Sequence, residues 1–119
     1  MRLVTILLAS CLWACSGAEP LSSAHLGSGE ALGRGQKLFA QHCAICHGDS
    51  GDGRGLRGGN MHPAPANLRS SGVRSRFGSG ELRELIARGK PGTAMAGWKT
   101  LGDVALDDLT VYVWGLAER

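Results

Sequence analysis

The scarcity of large side chains is what most limits the folds open to this chain. Glycine fills 19 of its 119 positions and only six residues are aromatic, whereas glycine makes up about 7% of an average protein. One of the six, Trp13, falls in an apolar N-terminal run, leaving Phe39, Phe77, Trp98, Tyr112 and Trp114 to build a core. Glycine costs backbone entropy on folding and adds no side chain to bury. Setting aside a short leader leaves roughly a hundred residues, enough for one small domain and too few for two. A domain so built needs something besides its own side chains to complete its interior. The same arithmetic excludes a multidomain enzyme, a coiled coil and a multi-span membrane protein.

The N-terminus has the form of an export signal. Met1-Arg2 is followed by the apolar run Leu3 to Ala9, and the next charge is Glu19. A basic start, a short apolar stretch and then small residues describe a secretory leader, and the run is well short of the ~20 residues a membrane span requires. Its end can be read in three ways. Leu8-Ala9-Ser10-Cys11 resembles a bacterial lipobox, in which the cysteine is lipidated, but would leave an unusually short signal. Leu12-Trp13-Ala14-Cys15 fits the pattern less well, yet Cys15 is followed at once by the polar Ser16-Gly17-Ala18-Glu19-Pro20, as a lipid-tethered protein would be. Ordinary cleavage after Ala18 is the third. The expected organisation is a leader over 1–15 (1–18 with ordinary cleavage), a flexible linker over 16–28, and a folded domain over 29–119. His25 falls in the linker and reads as solvated. The chain is thus expected in the periplasm, lipid-anchored through Cys15 or Cys11, with a soluble periplasmic protein as the alternative.

Charge points away from nucleic acid. Thirteen basic residues face ten acidic ones, and the balance falls toward neutral once Arg2 leaves with the leader. A nucleic-acid reader needs a dense basic face, whereas these arginines are scattered among glycines. Arg54, Arg57, Arg69, Arg74 and Arg76 flank glycine-rich turns and read as solvated, in preference to pairing with an acidic group. Asp52-Gly53-Arg54-Gly55 lacks both the preceding strand and the Gly-Lys-Ser/Thr ending of a phosphate loop.

The remaining two cysteines form Cys43-Ala44-Ile45-Cys46-His47, the C-x-x-C-H pattern of c-type haem attachment. Two cysteines three apart at a helix end can project toward the two vinyl groups of one haem and form thioethers, with the adjacent imidazole beneath the iron. A thioredoxin-like pair would sit between a strand and a helix, whereas a helical pattern precedes this one and a glycine loop follows it. A zinc site would normally call on a second ligand pair at finger-like spacing. A Cys43–Cys46 disulfide would leave His47 unexplained. One covalently bound haem c, with His47 as proximal ligand, is the expected cofactor.

Hydrophobic periodicity gives helices and no convincing strand. Between Gly29 and His42, Leu32, Gln36, Phe39 and Cys43 share a helical face, with Ala31 and Leu38 beside it. Ser79 is a candidate N-cap for a helix ending at Gly89, with Leu82, Leu85 and Ile86 as its apolar stripe and a Glu84–Arg88 pair. A last helix is expected from near Asp107, carrying Leu109, Tyr112, Val113 and Leu116.

From Ser28 to Leu116 the sequence resembles a class I c-type cytochrome, most like small periplasmic cytochromes and the cytochrome c domains of cbb-type oxidases. Gly35-Gln36-Lys37-Leu38-Phe39 looks like the family's N-terminal helix, with Gly35 and Phe39 crossing the C-terminal one. Cys43 to Gly55 is similar to the haem-binding turn and its glycine loop. Pro63-Ala64-Pro65-Ala66-Asn67-Leu68 resembles the proline-rich stretch, Gly89 to Met95 the distal-ligand loop, and Val111 to Leu116 the closing helix. The resemblance implies an all-α fold of three to five short helices wrapped around one haem, with Met95 as the distal iron ligand. Met61, His62 and His42 are the rivals of Met95, and His42 is expected to be exposed. It also implies that a proline carbonyl accepts from the proximal imidazole, with Pro65 the candidate and Pro63 second. Trp98 can either reach a haem propionate through its indole N–H or simply cover the haem edge.

With both axial positions filled, the expectation is a monomeric electron carrier and not an enzyme, cycling iron between ferrous and ferric states with periplasmic or membrane-bound redox proteins. The alternatives are a haem sensor or catalytic haem protein with a labile sixth ligand, and a dedicated cytochrome subunit of a membrane oxidoreductase.

Overall fold

Glycine placement decides how closely the two longest helices approach. The computed structural model describes residues 29–117 and Arg119. Its first helix, α1 (Gly29–His42), carries Glu30 in its first turn and His42 in its last, each suited to the helix dipole. The buried positions are Ala31, Gly35 and Phe39, spaced four apart along one stripe. This differs from the expected face through Gln36, which is exposed. The reason lies in the partner helix, α5 (Asp103–Leu116). A Cβ at position 35 would run into the main-chain carbonyl of Asp108 and come within 2.8 Å of the Tyr112 Cβ. Bare backbone at Gly35 is what lets α5 lie there, and the contact rotates the buried stripe onto Gly35. One turn on, the Phe39 and Tyr112 rings meet at 5.3 Å between centroids.

Between these helices run the shorter elements. Helix α2 (Ala44–His47) follows α1 directly. A glycine loop and a 3-10 turn (Gly58–Asn60) lead into the proline-rich stretch. Helix α3 (Ser71–Arg76) is capped by Ser70, whose Oγ accepts from the Gly72 N–H at 3.2 Å. Helix α4 (Ser79–Arg88) has Gly78 at its N-cap, one residue before the Ser79 expected there. The Glu81 carboxylate accepts from the Gly78 N–H at 2.8 Å and so takes over the cap. Glu84 and Arg88 pair along its exposed side, and the helix stops at Gly89, where φ is +76°. A second 3-10 turn (Lys99–Leu101) precedes α5. Five helices and no strand among the described residues match the expected all-α class.

The core sits where α1, α4 and α5 converge. Phe39, Leu82, Ile86, Ala87, Leu106, Leu109, Tyr112, Val113 and Leu116 form one buried cluster, and each large member contributes about 1.5–3 kcal/mol of burial. Helix α5 begins at Asp103, a turn earlier than the expected Asp107. Arg83 of α4 explains this: its guanidinium donates to Asp103 at 2.7 Å and to Asp107 at 2.5 Å, tying the helix's first residue to one a turn further on. Across the α1–α5 contact, Arg34 donates twice to the buried carboxylate of Asp108, at 2.6 and 3.0 Å, which satisfies a charge that would otherwise be stranded.

No described helix is long and apolar enough to cross a membrane. The leader with Trp13, the candidate lipidation sites Cys11 and Cys15, the alternative cleavage site at Ala18, and the linker with His25 all lie outside the described residues.

Candidate functional site

The Cys43–His47 segment is a continuation of α1. The Cys43 N–H donates to the Phe39 carbonyl at 2.8 Å, and the N–H groups of Cys46 and His47 both donate to the Cys43 carbonyl, at 3.1 and 2.9 Å. The i, i+3 spacing on that helical turn sets Cys43 and Cys46 on a common side. Both are free thiols and half-buried. Burial pushes the Cys43 thiol up to about 11, with the neighbouring Cys46 thiol adding to it.

A collar of backbone grips this turn. Gly48 turns the chain at φ +80°, and the Gly53, Gly55 and Arg57 N–H groups donate back to the carbonyls of His47, Cys46 and Ile45. A Cβ at Gly55 would lie 2.5 Å from the Ala44 and Ile45 carbonyl oxygens, and one at Gly58 would lie 2.7 Å from that of Cys46.

His47 is oriented from outside the collar. Its Nδ1 lies 3.1 Å from the main-chain carbonyl of Ala66. A carbonyl can only accept, so Nδ1 carries the proton and donates, leaving Nε2 with its lone pair free for a metal. The expected acceptor was the carbonyl of Pro65 or Pro63. The Pro65 carbonyl instead faces the neighbouring turn, where a Cβ on Gly53 would meet it at 2.8 Å. Successive carbonyls in an extended stretch point in different directions, so the next one, at Ala66, reaches the imidazole. Main-chain geometry of this kind leaves no mark in residue identity, which is why Ala66 escaped the sequence analysis.

Met95 is half-buried in the loop between α4 and the second 3-10 turn, and the Met95 N–H donates to Thr93 Oγ1 at 3.2 Å. Trp98 packs against the core cluster and stacks on His42, with centroids 4.6 Å apart and planes tilted by 41°. His42 is therefore half-buried and not exposed as expected. Of the other rivals, Met61 is half-buried and His62 exposed.

The arginines divide. Arg54, Arg57 and Arg76 are exposed, as expected, and so is Arg69, although its guanidinium donates to the Arg119 main-chain carbonyl at 2.9 Å. Arg74 is not simply solvated: it lies over the Trp114 ring at 4.9 Å and donates to the Trp114 carbonyl at 3.2 Å, pinning α3 to the end of α5.

The donor set fits a covalently held haem: two reduced thiols on one turn, an imidazole with Nε2 free, and a glycine collar that admits close approach. Among the described residues no cluster of His, Cys, Asp and Glu offers a competing metal site.

Comparison with known proteins agrees. Residues 30–113 match the family described as cytochrome c oxidase, cbb3-type, subunit III. Over 93 residues, 77% of the chain, the sequence is 38% identical to dihydro-heme d1 dehydrogenase of Pseudomonas aeruginosa. The chain spans only 16% of that relative's length.

Proposed function

This chain belongs to the class I c-type cytochromes, in the family typified by subunit III of cbb3-type oxidases, and on that premise we propose that it is an exported monohaem electron carrier. The family binds haem c covalently and serves electron transfer. Beyond that, Cys43 and Cys46 would form the two thioethers, His47 Nε2 would be the proximal ligand, and Met95 the distal one. The bound iron supplies a one-electron ferrous/ferric couple, whose potential a methionine ligand raises. The chain's own residues then have distinct tasks. Ala66 holds the His47 tautomer, the glycine collar fixes the attachment turn, and the α4–α5 loop presents a thioether in place of an open site.

The observation that carries this reading is the His47–Ala66 contact, because an imidazole locked with Nδ1 protonated is prepared as a ligand. The working location is the periplasm, with the chain tethered by lipid on Cys15 or Cys11 and exchanging electrons with periplasmic or membrane-bound redox proteins. Carbon monoxide tests the assignment. The reduced native protein should not bind it rapidly, and the intact mass should include one haem. Rapid binding would favour a sensor or catalytic haem protein, and a mass without haem would sink the reading.

A second reading is favoured by the relative named as a dehydrogenase. Its similarity to this chain is confined to a small part of its length, so a domain of this type can accept electrons from a dehydrogenase or belong to a dedicated cytochrome subunit of a membrane oxidoreductase. Co-purification of a larger redox enzyme after mild detergent extraction separates such a subunit from a free shuttle.

A further inference from the structure

The loop that carries Met95 is closed on itself by main-chain contacts. At its base the Trp98 N–H donates to the Ile86 carbonyl at 3.1 Å, and within it the Lys90 N–H donates to the Met95 carbonyl at 3.1 Å. A Cβ at Gly97 would lie 2.6 Å from the Arg88 carbonyl, so the two limbs pack backbone on backbone. These contacts preserve the loop's shape. They tie the loop to α4, whose Ile86 and Ala87 pack in the core. A side-chain contact reaches from the loop to the end of α1: the imidazole of His42 against Trp98, 4.6 Å between centroids. His42 is the last residue of α1 and precedes Cys43, while Trp98 lies three residues after Met95. One ring pair therefore joins the cysteine-bearing segment to the methionine-bearing one.

We propose that His42 is a positioning residue that holds the Met95 loop closed through Trp98. The proposal rests on Met95 being the distal ligand and says what keeps it in place. Loops over a cofactor belong to the least stable parts of a fold and open locally. A tilted aromatic pair biases such an opening by about two- to twelve-fold, and an external ligand competing for the sixth position senses that fraction directly. Trp98 also packs on the core, so removal of His42 loosens the loop without unfolding the domain.

The test is imidazole titration of the oxidised, haem-loaded full chain, followed together with the weak far-red sulfur-to-iron band. His42→Ala should bind imidazole about two- to twelve-fold more tightly and weaken the band. His42→Gln, which keeps length and polarity but has no ring, should behave like alanine and stands in for it if that variant does not mature. His42→Phe, which restores a ring, should return both readouts to wild type. Unchanged binding in His42→Ala and His42→Gln, or His42→Phe as open as they are, would overturn the proposal. A wild-type protein without the sulfur band would instead defeat the Met95 assignment and this proposal with it. The two failures are thereby distinguished.

Discussion

The Nδ1 of His47 is held by the main-chain carbonyl of Ala66, 19 residues away along the chain, at 3.1 Å. No side-chain substitution at Ala66 removes that acceptor, but its placement depends on Gly53. Gly53 sits at φ +84°, and a Cβ there would meet the Pro65 carbonyl at 2.8 Å. Gly53→Ala should therefore displace the 65–66 segment and weaken the bond. The strained backbone alone costs about 1–2 kcal/mol. A weaker bond leaves the imidazole a poorer donor to ferric iron, so the reduction potential should rise. Redox titration and the Nδ1–H proton resonance report it, and no movement in either would show that Ala66 does not control His47.

Met95→Ala should abolish the far-red sulfur band, lower the potential and let the reduced protein bind carbon monoxide. A variant that keeps the band would return Met61 to contention as the sulfur ligand.

Gly35→Ala should be among the most damaging single-methyl changes in the chain. The added carbon meets the Asp108 carbonyl and the Tyr112 Cβ, both on α5. Forcing α1 and α5 apart costs roughly 1–3 kcal/mol or more, visible as a lower thermal midpoint. Gly33→Ala, where nothing lies within 4 Å of the added Cβ, should leave stability unchanged or slightly raised by better helix propensity.

The tether is tested by fractionation. Cys15→Ser or Cys11→Ser, whichever cysteine carries the lipid, should move the protein from the membrane to the soluble periplasmic fraction and remove the lipid from the intact mass. If neither change moves it from the membrane, the anchor assignment fails; a wild-type protein already soluble and without lipid in its mass would fit ordinary cleavage after Ala18.

What the sequence disclosed follows from what residue identity encodes. The Cys43–His47 motif and the α4 stop at Gly89 are identity-bound, and both were visible. Helix α5 is legible except for its start, because its N-terminal end is fixed by Arg83 reaching Asp103 and Asp107 from 20 and 24 residues away. Helix α3 went unseen, since its six residues carry little periodic signal and Arg74 anchors it to distant Trp114. The His47 acceptor was displaced by one residue because a carbonyl has no side-chain signature.

Around the attachment turn, Gly53, Gly55 and Gly58 set main chain directly against main chain. The form of that turn is thus written in positions that accept no side chain at all. Arg54, Leu56 and Arg57, interleaved with those glycines, are exposed, Leu56 to 91%. Their identities are free of any duty to the turn's geometry. The loop can in this way exchange its outward chemistry to suit a different redox partner while the cysteines and imidazole beneath it stay where they are.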